Sequence, residues 1–205
     1  MVESNAAPGF LPSTHGLHFA NRFPPGPTLT FGPIDPRWIG IGDASAGLCG
    51  GMSWYVRERF EAGLPVPADT DAPANGSPLF QALVRRQVQS LEWLRTPLGI
   101  WWMGAMGSEH ALQQTRSAEW PRIRADIDTG RLAMVGLVRQ TGWNPFKLTN
   151  SHQVLAYAYE IDGDAVTIDI CDPNWPGLDD VAITFNASTI QQSTAEGLVG
   201  LLHLA

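Results

Sequence analysis

Apolar and polar residues recur along this chain with two different periods, and the change from one to the other divides it. From Met52 to Ala62 the apolar Met52, Tyr55, Val56 and Phe60 return at helical spacing, while Arg57, Glu58, Arg59 and Glu61 lie mostly on the other side. Gly63 follows where a helix commonly ends, so the pattern predicts a helix with Cys49 at or just before its N-terminus. Ser77-Pro78 opens a second helix, Ser77 as N-cap and Pro78 at the first helical position, with Leu79, Leu83, Val84, Val88, Leu91 and Leu94 on its apolar face and Pro97 and Gly99 closing it. The segment Leu98 to Gly107 is the most apolar, and its paired tryptophans are expected in the core, with the lining of a substrate groove as the alternative. Ser108 caps a further helix through Gln114, and Ala118 to Ile127 forms another, closed by Gly130.

Near Arg131 the period falls to two. Leu132–Val138, Gln153–Glu160, Ala165–Cys171, Val181–Phe185 and Leu198–Leu204 read as strands rich in Val, Ile and Leu. Helices followed by strands predict an α+β fold with an antiparallel sheet or half-barrel in a single domain of residues 1–205. Its parts are an irregular packed arm over 1–40, a helical lobe over 41–130 and a β lobe over 131–205. The arm is too rich in aromatic and aliphatic residues for a disordered tail, yet its prolines and glycines break any sustained period.

Charge and cysteine content narrow the chemistry. A net charge of −7 with 13 Lys+Arg offers no basic stripe for nucleic acid or for an anionic membrane surface. Two cysteines in dissimilar contexts predict free thiols in a reducing compartment. Residues 1–13 show no basic and then apolar leader, and no apolar run reaches membrane-spanning length, so a cytoplasmic protein is expected.

The candidate chemistry centres on Gly47-Leu48-Cys49-Gly50-Gly51-Met52, where a thiol sits among glycines at a helix start. The unpaired N–H groups and positive dipole end of a helix favour thiolate, the nucleophilic form. A base must reach it, and His152, at the head of the second strand, is the best placed of the five histidines. Asp162-Gly163 reads as a hairpin turn, which makes His152 and Asp172 diagonal neighbours at the open end; one bulge would make them direct partners. Asp172 is then the residue that orients the imidazole, with Asn174 as its alternative. His15 and His18 lack further ligands nearby and read as loop residues. A metal site of His152, Cys171 and Asp172 with Asp179 or Asp180 has no characteristic ligand spacing, so neither metal nor cofactor is expected.

The order cysteine, histidine, aspartate resembles the papain-like cysteine peptidases, in which a helical lobe supplies the cysteine and a sheet lobe the histidine and its partner. The resemblance rests on Gly47 to Met52, on Asn150-Ser151-His152-Gln153-Val154 and on Ile170-Cys171-Asp172-Pro173-Asn174, and is nearest to the bacterial peptidases that remove double-glycine bacteriocin leaders. It implies a papain-like fold and a thiol hydrolase or acyltransferase acting on a peptide or amide, with Cys49, His152 and Asp172 as the catalytic triad. The family's oxyanion glutamine is replaced by Asp43, six residues before Cys49, and an ionised carboxylate cannot donate. Ser45, Gln153 or the Cys49 N–H would have to serve instead. The competing reading is an inactive papain-like binding module, in which Cys49 would show no unusual reactivity.

Overall fold

The computed structural model describes residues 2–23, 47–90, 95–142 and 152–204. The elements are β1 (Glu3–Ala6), α1 (Pro12–His15), α2 (Cys49–Glu61), α3 (Pro78–Ser90), α4 (Arg95–Ala105), α5 (Ser108–Gln114), α6 (Trp120–Asp128), β2 (Ala133–Val138), β3 (His152–Asp162), β4 (Ala165–Cys171), β5 (Ala182–Phe185), β6 (Ile190–Gln192) and β7 (Gly200–Leu204). Among the described residues the strands form one antiparallel sheet in the order β6-β5-β4-β3-β2-β7, curved into a half-barrel. The fold is α+β, as the change of period predicts.

Strand β3 organises the sheet. One edge pairs with β4, and the other is shared, β2 taking His152 to Ala156 and β1 taking Ala158 to Ile161. The register between β3 and β4 shifts between Ala156 and Ala158. This bulge reverses the alternation. His152, Val154 and Ala156 face the same side as Tyr159 and Ile161, while Leu155, Tyr157 and Ala158 face the other. The first side packs against Leu112, Trp120, Ile123 and Ile127 of the α5–α6 region; the second receives the N-terminal arm, α2 and α3 through Phe10, Leu17, Met52, Val56 and Leu83. Each face thus has its own core, and the cysteine helix lies on the second.

Several expectations need correction. Residues 1–40 are not wholly irregular, since Glu3–Ala6 is a strand; its four residues are all exposed, so it pairs through the backbone with no apolar alternation to reveal it. Gly63 ends α2 with φ +64, its N–H bonded to the Phe60 carbonyl, and Ser77 Oγ accepts the Phe80 N–H, both as predicted. Pro97 and Gly99 do not close a helix but lie within α4. A proline in a first turn lacks an N–H that would have no intrahelical partner there, and Gly99 lets α4 approach Leu202 of β7. Trp102 is 51% exposed rather than in the core. Ser108 begins α5 as its first helical residue, and the N-cap is Gly107.

Helices α5 and α6 are joined by a π-helical turn, Thr115–Glu119. Pro121, just beyond it, lacks the N–H of a regular helix, and the wider turn absorbs that loss. The buried Thr115 and Glu119 accept the N–H groups of Leu201 and His203 at 2.8 and 2.9 Å, which covers the outer edge of β7. Thr115→Val, nearly the same shape, is therefore expected to destabilise the protein by roughly 1–3 kcal/mol, measured by urea denaturation, because the Leu201 N–H is left buried without an acceptor.

Candidate functional site

Cys49 is the first residue of α2, with Leu48 as N-cap. That helix start is held from three sides. Asn21 of the arm accepts the Leu48 N–H at 2.6 Å, Gln87 of α3 accepts the Gly51 N–H at 2.9 Å, and Ser53 Oγ donates to the Gln153 carbonyl of β3 at 3.2 Å. The glycines after Cys49 are buried and do not simply uncover the sulfur. A Cβ on Gly51 would stand 2.1 Å from the Leu83 carbonyl, and one on Gly50 would meet Ser90 Oγ at 2.4 Å and Gln153 Oε1 at 2.5 Å. They are there so that α2 can touch both α3 and β3.

The half-buried thiol of Cys49 is hydrogen-bonded to the His152 side chain, and the backbone N–H groups of Gln153 and Gly50 also point at the sulfur. Burial by itself would raise the thiol's pKa. The positive charge and hydrogen bond of His152, with the two N–H groups, more than reverse that and hold it below its ordinary value. Burial likewise works against a charged His152, but the facing sulfur and the Asp172 carboxylate raise its pKa well above the usual range. Each group therefore favours the charged form of the other.

His152 Nε2 lies 2.6 Å from Asp172 Oδ1, which leaves Nδ1 for the sulfur. The route to this contact differs from the sequence expectation. The hairpin turn is Gly163-Asp164, with Asp162 paired to Ala165, so the register is displaced from one closing on Asp162-Gly163. Gly163 has φ +63, which glycine adopts at no steric cost. Continuing the Leu155–Cys171 pairing by one step sets Asp172 opposite Val154. His152 and Asp172 are therefore diagonal neighbours on one face, and the side chains span the gap.

Asp172 is buried, which disfavours its charge, yet His152, the Asn174 N–H at 2.8 Å and Gln192 Nε2 at 2.8 Å hold its carboxyl below the ordinary range. Asn174 is not the orienting group. Its N–H serves Asp172, and its side chain accepts from Asn21 Nδ2 at 3.2 Å. Asn21, whose own N–H bonds the Pro173 carbonyl at 2.9 Å, ties the start of α2 to the loop that follows Asp172. Neither Asn21 nor Gln192 belongs to a sequence motif, and only the fold brings them here.

Gln153 is buried on the opposite face from His152, against α2, and its Oε1 has no hydrogen-bond partner among the described residues. Asp43 and Ser45 lie outside the described residues, as do Asn150 and Ser151. Within the first turn of α2 the Gly50 N–H faces the sulfur and the Gly51 N–H is taken by Gln87. The Cys49 N–H is the one left unengaged among the described residues, available to an oxygen close to the sulfur.

Cys171 has a different environment. It packs against the apolar core beneath the arm, with its sulfur 3.3 Å from where a Gly16 Cβ would sit. Burial and the nearby Asp172 and Asp179 push its thiol up to about 12. Asp179 accepts the Ser13 N–H and hydroxyl, and no group of three or more His, Cys, Asp or Glu able to hold a metal occurs among the described residues. His15 is stacked on Phe10 beside Phe60, and its Nδ1 accepts the Leu11 N–H at 3.2 Å. No helix among the described residues is long and apolar enough to cross a membrane.

A thiolate beside an imidazolium whose far nitrogen is fixed by a carboxylate can attack an electrophilic carbon and exchange a proton with the group it displaces. The arrangement occupies a place where helix start, strand end and post-strand loop converge. No protein-family model matches the chain, and no curated protein or solved structure matches it either.

Proposed function

We propose that the protein is a papain-like thiol hydrolase or acyltransferase acting on a peptide or other amide. What supports this reading above all is the continuous line from the Cys49 thiol, at a helix start, through the His152 ring to Asp172 Oδ1. The Cys49 thiolate attacks the carbonyl carbon, forming a C–S bond and placing negative charge on the carbonyl oxygen, which the Cys49 N–H stabilises. The His152 imidazolium gives its proton to the amide nitrogen, the C–N bond breaks and the amine leaves. Water, or another nucleophile, then loses a proton to His152 as it attacks the thioester, and the acyl group departs with the thiolate restored. Asp172 keeps the imidazole in one orientation and balances its charge throughout.

Brief treatment of the folded protein with iodoacetamide at pH 7, followed by peptide mass spectrometry, tests the nucleophile. Cys49 is expected to be labelled many times faster than Cys171, whose thiol burial and the nearby carboxylates push up to about 12. Preferential labelling of Cys171, or a Cys49 no faster than a free cysteine, would remove the hydrolase reading and leave an inactive binding module of the same architecture.

A further inference from the structure

We propose that Gln192 and Arg139 are positioning residues for the site, Arg139 setting the orientation of the Gln192 amide so that its N–H holds the Asp172 carboxylate facing His152. The inference rests on the triad reading above. Its starting point is a chain of side chains that continues past Asp172. Gln192 Nε2 is 2.8 Å from Asp172 Oδ2, and Gln192 Oε1 is 3.2 Å from Arg139 Nη2. Arg139 Nη1 in turn forms an ion pair with Glu196.

The chemistry of the two ends fixes the middle. A guanidinium carries donors only, so the Gln192 group facing Arg139 must be the oxygen; an ionised carboxylate accepts only, so the group facing Asp172 must be the NH₂. Gln192 is buried, which gives its amide no water to turn toward. Reversing it would set oxygen against carboxylate and N–H against guanidinium, with both buried contacts repulsive. Arg139 follows β2 and Gln192 ends β6, at well-separated places in the sheet order, so this contact links strands that do not pair. With Gln192 on Oδ2 and His152 and the Asn174 N–H on Oδ1, both carboxylate oxygens are engaged and the group cannot rotate without losing a bond. Among the described residues, the other ionisable groups around Asp172 are His152, with Cys49 behind it, and Cys171, the preceding residue.

The test follows the Asp172 carboxyl directly by carbon-13 NMR, its resonance identified by its absence in Asp172→Asn, and titrated in the unreacted full-length protein. Gln192→Met keeps the unbranched shape and removes the donor. It is expected to raise the Asp172 midpoint by about one pH unit, a tenfold tighter hold on the proton, since a donor to a carboxylate favours the charged form. Arg139→Met, which frees the amide to turn, is expected to raise it as well. Because both act through one amide, Gln192→Met in the Arg139→Met background should add little. A midpoint unmoved by Gln192→Met, or two shifts that simply add, would overturn the relay. Should Gln192→Met not fold, an unshifted midpoint in Arg139→Met does the same. A purely structural role for Gln192 would alter stability without moving this titration. Failure of the hydrolase reading would be seen elsewhere, in an unreactive Cys49.

Discussion

His152→Ala is expected to slow the alkylation of Cys49 at pH 6 by about tenfold or more, because each unit by which the thiol pKa rises above the working pH costs about tenfold in thiolate. The sign follows from the paired groups. With His152 charged beside it, the thiol is already ionised at pH values where an ordinary cysteine is not, and the imidazolium persists above its usual range. The rate in the unaltered protein should therefore fall less on acidification than that of a free cysteine. Without the imidazole only the helix start and the Gln153 and Gly50 N–H groups remain to favour the thiolate, and the rate should climb with pH toward that of a free cysteine. Asp172→Asn should affect turnover more than alkylation, since the asparagine leaves the imidazole near the sulfur but no longer balances its charge. Rates of iodoacetamide labelling between pH 5 and 9 in the three proteins decide the matter. Indifference of Cys49 to His152→Ala would mean that the two are neighbours and not partners.

Gly51→Ala is expected to destabilise the fold by roughly 1–3 kcal/mol, against the intrinsic preference of a helix for alanine of about 1 kcal/mol. The added carbon would lie 2.1 Å from the Leu83 carbonyl and 3.0 Å from the Gln87 nitrogen, both backbone atoms of α3 that cannot move aside without shifting the helix. Separating α2 from α3 also lengthens the Gly51 N–H bond to Gln87 and disturbs the turn that carries Cys49. Gly50→Ala meets side-chain ends instead, Ser90 Oγ and Gln153 Oε1, which can rotate, so its cost should be smaller. Urea denaturation of the two variants measures the difference. A Gly51→Ala protein as stable as the parent would show that the helices separate easily.

The α+β class, the helix after Cys49 and most of the strands were legible because each rests on local periodicity and local end signals. Met52, Val56 and Phe60 recur at helical spacing, and Gly63 closes that helix whatever the rest of the chain does. The same holds for the choice of Cys49, His152 and Asp172, since a thiol among glycines at a helix start and an imidazole at a strand head are visible in order along the chain. Tertiary structure decided what depends on two distant segments at once. β1 has no apolar pattern and exists because the free edge of β3 needs a partner. The bulge near Tyr157 and the placing of the turn at Gly163-Asp164 together set His152 and Asp172 on one face, and either alone would have changed their relation. Gly50 and Gly51 are visible in the sequence only as neighbours of the thiol, and the fold makes them contact points for a helix and a strand. Asn21 and Gln192 come from an arm and a three-residue strand with no signature of their own. A hydrogen bond between residues far apart in sequence leaves no period to read, so only the folded chain could bring them to Asn174 and Asp172.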